Sequence, residues 1–205
     1  MPRAFAHVDV LIMGNQSFRI LLGAAALALA LASPAAAREQ GGKPARGSQS
    51  GCAAADSPTG DARRTQKAML CLHNLERGGR GLRRLRLNRD LSGVATKFAR
   101  NMVSRHYFDH YSPGHRDHMD RIAVSDYKPA AGCWTAGENL FASRAGVTPR
   151  QLLSAWMGSS AHRQNILRRS WQDFGFGVVA TSPQGDADGL TVVALFGTRS
   201  GGPCS

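Results

Sequence analysis

Two histidines and one glutamate are the side chains best suited to chemistry in this 205-residue chain. His110 falls in Phe108-Asp109-His110-Tyr111-Ser112-Pro113, Glu138 in Gly137-Glu138-Asn139, and His162 just after a Gly158-Ser159-Ser160 corner. Two neutral imidazoles and a carboxylate are a known ligand set for a divalent metal such as zinc, with a coordination position left for water. The same groups suit a hydrolase in which Glu138, His110 or His162 activates water. They stand 28 and 24 positions apart, so no turn or helix brings them together and only a shared fold can. Taken singly, each has a plainer role: a solvated glutamate at a strand end, a loop histidine, a surface histidine beside a helix-capping serine. His115 and His118 lie close to His110 and offer a local metal cluster instead. Ser159 and His162, three apart on a helix, can meet as a hydroxyl–imidazole pair, whereas Ser160, two away, faces elsewhere. A serine nucleophile would also need an oxyanion site, and the sequence identifies none.

The elements that must position these residues follow from apolar periodicity. Ala68, Cys71, Leu72 and Leu75 recur at helical spacing and predict an amphipathic helix from Asp61 to Arg77, stopped by Gly78-Gly79. An arginine-rich connector, Arg80 to Arg89, follows, with Leu82, Leu85 and Leu87 expected to tie it to the core. Its Arg80, Arg83, Arg84, Arg86 and Arg89 form either a solvated basic face or an anion-binding patch. Leu91, Val94, Ala95, Phe98 and Met102 make the buried stripe of a second helix, and Pro113 forces the chain out of helix beyond it, leaving His110 in a loop. Arg116 to Val124 predicts a short helix and Ala136 to Ser143 a strand that opens on Gly137-Glu138-Asn139. Thr148-Pro149-Arg150-Gln151 is a helix start, with a threonine cap, proline at the first helical position and glutamine three after the cap. Leu152, Leu153, Trp156 and Met157 are its buried stripe, and His162 beyond the corner is expected to point away from the side packed through Trp156, Ile166 and Leu167.

Near the end, alternation over Phe174 to Ala180 and an apolar run from Leu190 to Thr198 flank a turn-rich segment, 182–189, and predict an antiparallel hairpin. Strands apolar on both faces must be covered on both. The fold class is therefore α+β, an α-β-α sandwich with a small antiparallel sheet between two helical layers.

Residues Leu72 to Gly197 resemble the CAP superfamily, the domain shared by cysteine-rich secretory proteins, antigen 5 and plant pathogenesis-related proteins, and especially its bacterial members. The resemblance rests on Asn74 with Arg77, Phe108 to Pro113, Asp120-Arg121-Ile122, Gly137-Glu138-Asn139-Leu140, Trp156 with Ser159, His162 to Leu167, and Phe174 to Val178. It implies the same sandwich, with a cleft that collects His110, Glu138 and His162 for a divalent cation, and it suggests a lipid, sterol or wall-derived ligand. Many eukaryotic relatives bring a second glutamate into that cleft three residues after the tryptophan. Here that position is Ser159, a poor substitute for a carboxylate on a metal.

The address is read from the N-terminus. Ile20 to Ala32 is an apolar run preceded by Arg19 and followed by Ala35-Ala36-Ala37, the pattern of a cleaved export signal, with Met1 or Met13 as the start. Residues 1–37 are thus expected to be removed, residues 38–60 to form a flexible leader, and 61–205 the domain of a secreted or periplasmic protein. No later stretch is long and apolar enough to span a membrane. The 26 Lys and Arg against 14 Asp and Glu make the chain strongly basic. Outside the cell that charge favours anionic wall polymers or lipid surfaces over nucleic acid, so a basic adhesion protein is a third functional class. Cys52, Cys71, Cys133 and Cys204 have no zinc-ribbon spacing, and in an exported chain they predict two disulfides. Of the three pairings, Cys52 with Cys71 and Cys133 with Cys204 is favoured, stapling the leader to the first helix and pinning the C-terminus.

Overall fold

The computed structural model describes residues 11–13 and 51–201. The apolar run and cleavage pattern of the expected export signal, and Cys204, lie outside them. Strand β1 (Leu11–Met13) precedes helix α1 (Ala62–Gly78), strand β2 (Arg86–Leu87), helices α2 (Arg89–Ser104) and α3 (His118–Ala123), and strand β3 (Cys133–Ser143). Helices α4 (Pro149–Gly158) and α5 (Ser160–Leu167) and strands β4 (Asp173–Val179) and β5 (Leu190–Ser200) complete the order. Local chemistry sets the helix starts. Asp61 accepts from the Arg64 amide at 2.9 Å, Asn88 accepts from Leu91, and Asp117 and Thr148 each close a reciprocal capping box with the residue three further on.

The strands run in the order β1-β3-β5-β4-β2. The centre of the sheet is antiparallel, as expected, with Glu138 opposite Leu195 and Phe174 opposite Phe196, while β1 and β2 join the two edges in parallel. A chain cleaved after Ala37 keeps the other four strands. Along β5 the side chains alternate between two cores. Val192, Ala194 and Phe196 join Met69, Leu72, Leu152 and Trp156 of α1 and α4, and Val193 and Leu195 join Leu91, Phe98 and Ile122 of α2 and α3. That alternation is the sandwich itself, one sheet buried on both faces.

The glycines of β4 set the depth of packing. Phe174 and Phe176 face the α1 side, while Gly175 and Gly177 face α2, where a β-carbon would run into the backbone of Leu91 and of Ala95 and Thr96. Helix α2 lies directly on the bare backbone of the strand.

Residues 51–60 correct the expectation of a leader that is flexible to residue 60. Cys52, Ala55 and Thr59 are buried, Thr59 donates to the Val147 carbonyl, and Asp56 pairs with Arg150 through two hydrogen bonds of 2.7 and 2.9 Å. The Cys52–Cys71 disulfide closes this segment onto α1. Cys133 is also disulfide-bonded, and Cys204 lies outside the described residues. In the connector, Leu85 is buried but Leu87 is 40% exposed, so the tie to the core runs through Leu85 rather than three leucines.

Candidate functional site

Glu138 sits within β3 with only 1% of its side chain exposed. A carboxylate buried this deeply is costly unless it is paired. His110 Nδ1 lies 2.8 Å from Oε1, and an Arg121 guanidinium nitrogen lies 2.6 Å from Oε2. Burial acts to raise the Glu138 pKa, but the His110 hydrogen bond and the Arg121 charge outweigh it and hold the carboxyl below its ordinary range. An ionised carboxylate only accepts hydrogen bonds, so the shared proton belongs to His110 Nδ1, and in the neutral ring the lone pair is left on Nε2. That Nε2 is buried and has no hydrogen-bond partner among the described residues.

Arg121 is a site residue that sequence reasoning saw as part of a motif but gave no role. Its guanidinium lies 3.3 Å over the Phe98 ring and donates to the carbonyls of His110 at 3.0 Å and Arg116 at 2.7 Å. One cation therefore fixes the loop that carries His110 and the acid that orients it. The signal available in the sequence was Asp120-Arg121-Ile122 itself, a charged residue beside a buried Ile122 in a helix pinned by its own capping box.

His162 arrives from the opposite layer. Helix α4 ends at Gly158, and Ser159 is the corner into α5. The Ser159 side chain makes no capping bond there and its Oγ lies 2.9 Å from His162 Nδ1. The ring does not point away from the packed side, as expected from the helix pattern. His162 is fully buried and stacks on Trp156 at 6.4 Å between ring centres. Asn139 donates to the His162 carbonyl at 3.2 Å and accepts from Asn165 at 3.0 Å, and Trp171 donates to the Asn165 carbonyl at 2.8 Å. A β-carbon on Gly137 would collide with the Asn165 side chain and the Trp171 ring. The three residues of Gly137-Glu138-Asn139 thus admit Asn165, hold His110 and tether His162.

The structure joins His110 to Glu138 directly and ties His162 to the next residue of the same strand. Among the described residues, no group of three or more His, Cys, Asp and Glu side chains is placed to hold a metal. The local cluster with His115 and His118 does not form: His115 is exposed and His118 lies 3.4 Å from the Ala136 carbonyl. Both oxygens of Glu138 are engaged, one by His110 and the other by Arg121. A hollow of about 450 Å³ opens beside the same loop, lined among others by Tyr107, Phe108, Tyr111 and His115, on both sides of His110 in the chain. Of the expected anion patch, Arg80 is paired with Glu76 at 2.6 Å and Arg83, Arg84, Arg86 and Arg89 are exposed.

Residues 70–196 match the model of CAP, the cysteine-rich secretory protein family. The chain belongs to that family. It is 36% identical over 117 residues to the uncharacterized protein YkwD of Bacillus subtilis, a match covering 56% of this chain and 42% of that protein. The chain therefore spans under half the length of the curated relative it matches. Its fold is similar to that of an outer surface protein from Borrelia burgdorferi, with a TM-score of 0.58 at 18% identity over 68% of this chain and 96% of that one. An extracellular protein containing an SCP domain from Bacillus anthracis is similar at a TM-score of 0.50 and 23% identity, over 66% of this chain and 40% of that one. At those identities the likeness is one of fold, and it agrees with the cysteine-rich secretory sandwich described above. Among the described residues no helix is long and apolar enough to cross a membrane.

Proposed function

We propose that this chain is an exported binding module whose cleft takes a divalent cation such as zinc on imidazole, with His110 as the leading ligand and Glu138 as the group that orients it. The observation that carries this reading is the buried His110 Nε2, without a hydrogen-bond partner while Nδ1 is locked on a carboxylate. A ligating histidine is held in that way, its second nitrogen donating to an acid that fixes the tautomer and raises ligand basicity. A site using Glu138 itself as a ligand does not fit, because coordination would cost the carboxylate its bond to His110 or Arg121. His162 is the second imidazole by family resemblance, and water completes the shell. Bound there, zinc would supply Lewis acidity and a fixed positive charge. The protein's part is to hold the ring, exclude bulk water from its rear face and keep Arg121 behind the acid. The aromatic hollow beside the loop suits an apolar or wall-derived ligand, and an extracellular setting agrees with the expected export signal.

Zinc titration of the purified protein by calorimetry is the test. His110→Ala and His162→Ala should each weaken zinc binding, and Glu138→Gln, which keeps the shape and loses the charge, should lower affinity about 10- to 100-fold. Unaltered affinity in the double histidine variant would overturn the proposal. One contact favours a hydrolase as the second reading, Ser159 Oγ at 2.9 Å from His162 Nδ1. Turnover of an ester, peptide or glycan panel that disappears in Ser159→Ala would establish it.

A further inference from the structure

The arginine-rich connector does not stand alone in the fold. Arg77, fully buried, donates to the carbonyls of Arg83 at 2.9 Å, Ile166 at 2.8 Å, Arg168 at 2.9 Å and Trp171 at 3.3 Å. It bolts the connector to the segment after α5, so the backbones of Arg83 and Arg168, remote in sequence, meet on one guanidinium. Asn74 pins Leu85 at both of its backbone groups, accepting from the amide at 2.7 Å and donating to the carbonyl at 3.0 Å. Beyond Leu85, the parallel pairing of Arg86 with Asp173 continues the fixed backbone toward Arg89.

On this framework Arg83, Arg84, Arg86, Arg89, Arg168 and Arg169 are all exposed. Among the described residues, only Arg86 has a carboxylate partner, Asp173 at 3.8 Å, and that acid is shared with Arg199 at the same distance. Arg168 rests over the Trp171 ring, and none of the six guanidinium groups donates a hydrogen bond to the described residues. An ordinary solvated basic face carries interspersed acids and long side chains on loosely held backbone. Here the backbone is preorganised and, Arg86 apart, the six arginines have no carboxylate partner among the described residues.

We infer that this face is a binding surface for a linear phosphate-bearing polymer, the guanidinium forks engaging successive phosphates in two fixed rows. A connector with exposed arginines at 83, 84, 86 and 89, held by Asn74, Arg77 and the pairing of β2 with β4, suits a chain of repeated anions. A bilayer is the less favoured partner, because Leu87 is the one large apolar side chain exposed along the connector and no tryptophan or phenylalanine accompanies it. The arginine face and the His110–Glu138 pair use different residues, so the two proposals stand or fall independently.

Binding of inorganic polyphosphate to the purified protein is measured by fluorescence anisotropy between about 50 and 300 mM salt, where phosphate neutralisation appears as a log–log salt slope. Arg84→Gln with Arg169→Gln should weaken binding and reduce the slope by about 1.4, roughly 0.7 for each arginine–phosphate pair broken. Arg63→Gln with Arg64→Gln removes the same charge about 20 Å away along α1 and should leave the slope nearly unchanged. His110→Ala should bind polyphosphate like the parent. An unchanged denaturation midpoint checks that each variant is folded. Equal losses in the two arginine pairs would reduce the effect to net charge and overturn the proposal. So would unaltered binding in the Arg84/Arg169 variant, or capture by anionic phosphatidylglycerol vesicles without binding to polyphosphate.

Discussion

His73 should make this protein acid-sensitive between about pH 6.5 and pH 4. Its ring is fully buried between α1 and the sheet, 4.7 Å from the Phe174 ring centre, 5.7 Å from Phe196 and 5.9 Å from Trp156. Nδ1 lies 2.7 Å from the Met69 carbonyl and must donate to it, so the neutral ring presents a bare Nε2 to the aromatic core, where it has no partner among the described residues. Protonation would add a charge and an unsatisfied N–H there. Burial therefore lowers the pKa from 6.5 to about 4, with the Met69 carbonyl opposing and Arg77 adding to the depression. The unfolded chain takes up the proton near 6.5 and the folded chain does not until about 4, so stability is complete above pH 6.5 and declines as the pH falls toward 4. The difference is worth about 3 kcal/mol. Urea denaturation of the disulfide-intact protein across that range measures it, with His73→Leu as the reference that lacks the titrating ring. The parent should lose about 3 kcal/mol more than the variant between about pH 7 and pH 4. Parallel stability curves for the two proteins would refute the reasoning.

Three further outcomes follow from particular contacts. Gly177→Ala should destabilise by about 1 to 3 kcal/mol in chemical denaturation, because the new methyl group meets the α2 backbone and not a movable side chain. By contrast, Gly60→Ala, with open space around it, should change little. Replacing Cys52 and Cys71 by serine opens a link across 19 residues and should cost about 3 kcal/mol, read as a lower melting temperature. Arg121→Met leaves the buried Glu138 carboxylate without its cation and should cost about 3 to 5 kcal/mol at neutral pH. That penalty should shrink in acid as the stranded carboxyl takes up a proton, which denaturation at about pH 4 would show.

Much of the architecture was legible because it depends on neighbours in the chain. The helix start at Asp61, the cap at Thr148, the stripe from Leu91 to Met102, and the alternation around Phe174 and Phe176 are local patterns, and each appears in the fold close to where the pattern places it. The covering of β5 on both faces could be read from a run that is apolar at most positions. The parallel edge strand at Arg86–Leu87 could not, because two residues carry no periodicity and their pairing depends on where β4 happens to lie.

What the sequence by itself determined is the main helices, the antiparallel strands and the sandwich they form, together with the three residues that a site could use. Only tertiary structure decided their roles. Glu138 meets His110 through one oxygen and Arg121, on another element, through the other. His162 turned inward because Trp156 and Ser159 receive its ring across a corner. Arg168 and Arg169 joined the basic connector because a buried Arg77 holds both backbones. Periodicity reports which face of an element is buried, since that is set by the residue's own neighbours. Which polar atom meets which depends on contacts between elements remote in the chain, and those exist only once the sheet has brought the two helical layers together.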